Sequence, residues 1–199
     1  MMDAILLIGP TGAGKTPLGD LLERKGLHGR ACRHFDFGRE LRRVATGGGR
    51  EFDAEEAAFV RRILDKGALL EDEHWPLAEK VLRRFLAAGA SERIVLNGLP
   101  RHVGQARRID GLLDVRMVVH LDCPVETILE RIRRNTGGDR AGRADDDAQA
   151  VRARLATYAA RTAPLLDHYR AAGGAIIPIA VGADTTPRDM LAWLKHDTQ

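Results

Sequence analysis

The stretch Gly9-Pro10-Thr11-Gly12-Ala13-Gly14-Lys15-Thr16 constrains the fold more than any other part of the chain. It matches the pattern G-x-x-x-x-G-K-[ST] in full. Its flanks fit too. Ala4 to Ile8, just ahead of it, is a continuous apolar run of the kind that forms a strand buried on both faces. Behind it a helical pattern runs from Lys15 to Lys25 and stops at Gly26. In a strand–turn–helix succession of this kind the glycines let the loop curl, so that backbone N–H groups and the helix N-terminus converge on phosphate oxygens. Gly9, Gly12, Ala13, Gly14, Lys15 and Thr16 are therefore the expected phosphate-binding set. Lys15 would reach the β- and γ-phosphates, and the Thr16 hydroxyl would face Mg²⁺. The loop leaves open whether the phosphoryl group is transferred, hydrolysed or used as a switch.

The rest of the chain alternates strand and helix. Strands are expected at Ala31–Phe35, Arg93–Leu96, Arg116–Leu121 and Ala175–Val181, with Pro178 marking an edge position. Helices are expected at Arg39–Ala45, Ala54–Lys66, Leu77–Ala88, Val125–Arg134 and Pro187–Lys195. A long helix is expected from Asp146 to Ala172, kinked or divided by Pro164. The alternation predicts an α/β fold with a parallel sheet and helices on both faces. The 199 residues suffice for one domain.

Composition excludes several function classes. Of the residues, 44% are hydrophobic and 30% charged, as in an ordinary globule. The net charge of +3 is too small to imply a nucleic-acid polymer as partner, and no basic face with interleaved aromatics is visible. The arginines cluster locally, which suits a small phosphorylated ligand bound by two-point guanidinium contacts. Two cysteines, Cys32 and Cys123, stand far apart with no metal-ligand spacing, and a reducing, cytoplasmic setting is expected. The N-terminal apolar run is too short for a signal or a membrane span.

Later segments narrow the reading. Asn97-Gly98-Leu99-Pro100-Arg101, followed by Gln105-Ala106, resembles the D-G-[FY]-P-R-x-x-x-Q-A segment of adenylate kinases. Gly142-Arg143-Ala144-Asp145-Asp146 and Arg154-Leu155-Ala156-Thr157-Tyr158 resemble that family's G-R-x-D-D and R-L-x-x-Y segments, and Thr162 to Leu166 continues the likeness. The resemblance implies a P-loop NTPase fold with a five-stranded parallel sheet, a nucleoside-monophosphate-binding insert at about 37–75 and a short lid at about 135–143, all in one domain. It implies reversible transfer of the γ-phosphoryl of Mg-ATP to a nucleoside monophosphate, with ATP and Mg²⁺ required. It also implies a monomer acting on small nucleotides.

Residue by residue, the resemblance gives Arg101 and Arg42 the acceptor phosphate, Gln105 the acceptor base and Arg131 the donor adenine. Arg143 and Arg154 clamp the transferring group. Phosphoryl transfer needs alignment and spread positive charge more than covalent help, so Lys15, Arg101, Arg143 and Arg154 form the expected catalytic set. The short lid has no Cys tetrad for a structural zinc. Arg140 and Arg143 are expected to swing in on it.

Three departures qualify the likeness. Asn97 stands where the family has an Asp that holds Mg²⁺ through water; Thr16 and Asp36 are the residues able to compensate. Phe37-Gly38-Arg39 replaces T-G-D, so Phe37 either stacks on an acceptor base or belongs to the core, and Arg39 adds positive charge suited to a more heavily phosphorylated acceptor. Pro17 falls in a first helical turn, where its missing N–H is harmless. Transfer to AMP leads the readings, ahead of transfer to another small acceptor and of nucleotide binding with little turnover.

Overall fold

A computed structural model describes residues 1–48, 51–89, 92–138 and 148–197. The strands are β1 (Met2–Ile8), β2 (Cys32–Asp36), β3 (Arg93–Asn97), β4 (Leu113–Asp122) and β5 (Ala175–Ala180). They form a single sheet in the order β2-β3-β1-β4-β5, with every pairing parallel. The first half of the chain contributes helices α1 (Lys15–Lys25), α2 (Phe37–Ala45), α3 (Ala54–Lys66) and α4 (Trp75–Ala87). The second half adds α5 (Val103–Ile109), α6 (Val125–Arg134), α7 (Ala148–Thr157), α8 (Leu165–Ala171) and α9 (Pro187–Asp197).

β1 is central because its sequence tolerates no water on either face. Side chains alternate across a strand, and here both sets are apolar. Ala4, Leu6 and Ile8 pack into one core with residues of α2, α4, α5 and α8. Ile5 and Leu7 pack into a second with residues of α1, α6, α7 and α9. Helices thus cover both faces, as a parallel sheet requires. β5 is an edge strand, and Pro178 lies in it opposite His120, as the sequence leads one to expect. The chain turns to opposite sides of β1 to build β2 and β4. That switch opens a crevice at the C-terminal ends of the strands, where open α/β sheets bind ligands.

The long helix near the C-terminus differs from expectation in an informative way. Pro164 divides it, but the disturbance begins earlier. Tyr158–Thr162 is a π-helical turn, with the Ala163 N–H donating to the Tyr158 carbonyl at 2.9 Å. A proline cannot supply the i→i−4 donor, and the chain upstream widens by one residue per turn. The first two residues of that expected helix lie outside the described residues. A 3₁₀ turn at Asp72–His74 and the short α5 had no clear periodic signal, being too short to show one.

Candidate functional site

The phosphate loop takes the shape its glycines permit. Gly12 and Gly14 have φ of 81° and 101°, left-handed values that favour glycine. Gly14 is the N-cap of α1, so the first free N–H groups of that helix open into the loop. The Ala13 side chain is fully buried in the core and anchors the loop from behind. The Lys15 ammonium donates to the Gly9 and Pro10 carbonyls, each at 2.7 Å, and so sits across the mouth of the loop.

Facing the loop is a cavity of about 250 Å³ that collects basic side chains from separate elements. Arg42 comes from α2, Arg101 from the segment after β3 and Arg154 from α7, and all three line it together with Lys15. Desolvation by the surrounding protein and the nearby Arg154 charge both push the Arg101 pKa below the usual arginine value, only partly offset by Asp36, although the residue remains exposed to solvent. A guanidinium stays charged in proteins, so the two arginines repel one another across a gap that an anion would stabilise. Backbone contacts fix Arg101. Its N–H donates to Gln105 Oε1 at 2.8 Å, and its carbonyl accepts from Thr162 Oγ1 at 2.8 Å.

The far wall is apolar, made by Phe37, Leu41, Ile63, Leu64 and Leu70. Phe37 belongs to the core and also faces the cavity. It is only 6% exposed and stands 6.0 Å from the Phe35 ring, yet it lines the cavity. Gln105 is buried, and its Nε2 donates to the Leu70 carbonyl at 2.7 Å. One hydrogen-bonding site remains at each end of its amide. Tyr158 also lines the cavity; its hydroxyl lies 3.3 Å from His120 Nε2, and burial pushes its pKa up to about 12.

Beside Lys15, three polar groups meet. Thr16 Oγ1 donates to Asp36 Oδ2 at 2.8 Å. Asn97 Nδ2 lies 3.0 Å from Thr16 Oγ1 and 3.1 Å from Asp36 Oδ2. A hydroxyl and a carboxylate next to a phosphate loop are hard oxygen donors, the chemistry that Mg²⁺ selects.

Other side chains lie elsewhere. Arg131 is 2% exposed and donates to the carbonyls of Gly12, Gly182 and Thr185 at 3.2, 2.7 and 2.9 Å, tying the phosphate loop to the β5–α9 connection. Arg39 turns away from the cavity and pairs with Asp20 at 2.8 Å. Its charge is engaged there and Arg39 is not among the residues that line the cavity. Burial raises the Asp20 pKa, but the hydrogen bonds from Arg39 and His34 outweigh it and the net shift is downward. His34 and His102 are buried outside the cavity lining. Arg134 pairs with Glu130 and Asp184. Burial drives the Cys123 thiol to about 11 and the Cys32 thiol upward, away from the thiolate form. Arg140 and Arg143 lie outside the described residues. Sequence reasoning missed Thr162 as the support of Arg101; its only signal was its place inside the quoted T-A-P-L-L segment.

Comparison with known proteins bears on this geometry. A family model described as "Adenylate kinase" matches residues 7–174. The chain is 34% identical over 179 residues to an "Adenylate kinase" of Synechococcus sp. (strain WH7803), covering 87% of each chain. It is also 34% identical over 177 residues to an "Adenylate kinase" of Thermus thermophilus, covering 85% of this chain and 84% of that one. Among solved structures, a gluconokinase from Sinorhizobium meliloti 1021 superposes with a TM-score of 0.56 at 18% identity, over 98% of this chain and 92% of that one. That likeness concerns the fold alone.

Proposed function

This chain belongs to the adenylate kinase family and is an ATP-dependent phosphotransferase, and on that ground we propose that it moves the γ-phosphoryl of Mg-ATP reversibly to a nucleoside monophosphate, AMP foremost. The observation that carries the reading is the convergence of Lys15, Arg42, Arg101 and Arg154 on one cavity beside the phosphate loop. In the reaction the bond from the γ-phosphorus to the β–γ bridging oxygen breaks, and a bond to an acceptor phosphate oxygen forms. The leaving group departs as ADP and the acceptor becomes a diphosphate.

Charge spreads over the three equatorial oxygens in the transition state, so positioned cations supply most of what the protein must give. Lys15 swings from its carbonyls to the donor phosphates. Arg42 and Arg101 hold the acceptor phosphate, and Arg154 bridges to the group in transit. Arg143 is assigned the same bridging role from the lid. Arg131, to which the resemblance gives the donor adenine, supports the donor side from behind the loop through its backbone contacts. Thr16 is the residue that would hold Mg²⁺, which when bound neutralises charge on the β- and γ-oxygens. The apolar wall with Phe37 takes the acceptor base, and Gln105 reads its edge with its two remaining sites. The 37–75 segment is thus the acceptor-binding insert.

The same wall supports a second reading. Two of the hydrogen-bonding sites of Gln105 are spent on backbone partners, and Phe37 offers only a stacking face. Both features suit a pocket that discriminates weakly among bases, so another monophosphate is the alternative acceptor. A coupled assay for diphosphate formation across AMP, CMP, UMP, GMP and their deoxy forms separates the two. Turnover concentrated on AMP supports the first reading. Comparable turnover with several bases supports the second, and none with any of them would contradict both.

A further inference from the structure

The family resemblance places a carboxylate at the end of β3, where this chain has Asn97. The structure supplies that charge from the neighbouring strand. Asp36 and Asn97 end β2 and β3 and are register partners. Both are almost wholly buried, at 6% and 5% exposure. Asp36 accepts from the Thr16 hydroxyl at 2.8 Å, the Asn97 amide at 3.1 Å and the Arg39 backbone N–H at 2.9 Å. These donors are all neutral, so they solvate the carboxylate without cancelling its charge. The Arg101 and Arg39 charges act on it through space, and a metal cation at the Thr16 oxygen would add the direct partner that a buried carboxylate favours. The cation site it adjoins is the Thr16 oxygen beside the phosphate loop.

We propose that Asp36 is the metal-side carboxylate of this protein, and that Asn97 is neutral because Asp36 is charged. This rests on the Mg-ATP reading above. The hydrogen-bond directions give Asp36 a second task as a positioning residue. Thr16 gives its only proton to Asp36. Asn97 Nδ2 occupies one of the two lone pairs of Thr16 Oγ1. One lone pair is left, and its direction is fixed by the other two contacts. The hydroxyl therefore presents a single acceptor site to a metal, with the Asp36 charge directly behind it. A carboxylate at position 97 would stand about 3 Å from Asp36 Oδ2, where like charges repel and the Asn97 amide hydrogen bond is lost. The pair works with one charge on either strand, not with two.

The test uses the full chain with ATP bound and Mn²⁺ as the probe in place of Mg²⁺, with free and bound metal resolved by electron paramagnetic resonance. Four proteins are compared: the unaltered chain, Asp36→Asn, Asn97→Asp, and the double exchange Asp36→Asn/Asn97→Asp. Asparagine keeps the helix cap at position 36, so the single variant retains the start of α2. Asp36→Asn should weaken Mn²⁺ binding about tenfold or more, the usual cost of losing an outer-shell carboxylate. Asn97→Asp should not tighten it, since the Asn97 amide bonds to Thr16 and Asp36 are lost and the two like charges repel. The double exchange should restore binding to within about threefold of the unaltered chain, the coupling expected of residues in direct contact.

Unchanged Mn²⁺ affinity in Asp36→Asn would overturn the proposal. So would tighter binding in Asn97→Asp than in the unaltered chain, or a double exchange as weak as Asp36→Asn. Failure of the underlying reading looks different. If the metal pattern holds but no acceptor is phosphorylated, the kinase assignment falls and the Asp36 assignment stands.

Discussion

At the scale of single residues, the cavity gathers a few cations, and neutral neighbours hold the backbone of one of them, Arg101. Arg101 has both backbone polar groups pinned, one by Gln105 and one by Thr162, which fixes where its guanidinium starts. Truncating it to alanine should lower kcat/KM on the order of 10²- to 10³-fold, the range for losing one transition-state donor. Steady-state kinetics would check this, with a melting curve to show that the variant is folded. Thr162→Val removes the bond to the Arg101 carbonyl while keeping the volume. It should cost about 1 kcal/mol in urea denaturation and raise the KM for the acceptor more than it lowers kcat. His120 gives a pH signature. Burial is the main cause of its pKa lying below 6.5, so the folded state favours the neutral ring. Its contribution is complete above the unfolded value and is lost as pH falls from there toward the folded pKa. His120→Gln should flatten the melting temperature against pH just below 6.5, a comparison of two thermal series.

At the scale of elements, strands were the most legible part of the sequence and turns the least. β1 and β4 announced themselves by apolar runs, because a central parallel strand cannot afford polar side chains. The division at Pro164 was legible from the residue alone, but the π-helical turn was not. It coincides with the missing donor and with the bonds of Thr162 to the Arg101 carbonyl and of Tyr158 to His120, which are contacts far along the chain. Arg39 shows the same limit. Its partner Asp20 lies on α1, and nothing local in Phe37-Gly38-Arg39 says that the side chain turns toward it. The joining of Asp36 to Asn97 likewise depends on the register of two strands, 61 residues apart in the chain. α3 offers a test confined to one element. Asp53 and Glu56 form a reciprocal capping box, and Glu56 also pairs with Lys80 of α4 at 2.7 Å. Asp53→Ala should cost about 1 kcal/mol of stability and leave kcat nearly unchanged, as read by urea denaturation and initial rates.

At the scale of the whole molecule, the sheet order decides where function lies. Helices on both faces bury β1, and the reversal of strand order beside it leaves its C-terminal end open. The phosphate loop, the β2 and β3 ends and the α7 arginine meet there. No helix among the described residues is long and apolar enough to cross a membrane. The motifs of the site were readable because each has a fixed spacing, and the cavity's wall was not, because Phe37, Leu70 and Gln105 come together only through the fold. The central claim is phosphoryl transfer between nucleotides at the cavity of Arg42, Arg101 and Arg154. Phosphorus-31 NMR of the purified chain with Mg-ATP and AMP tests it most directly, with Arg101→Ala alongside. The account predicts that ADP resonances grow from ATP plus AMP, that ATP and AMP grow from ADP alone, and that both are lost in the variant. ATP binding with no interconversion in either direction would contradict it.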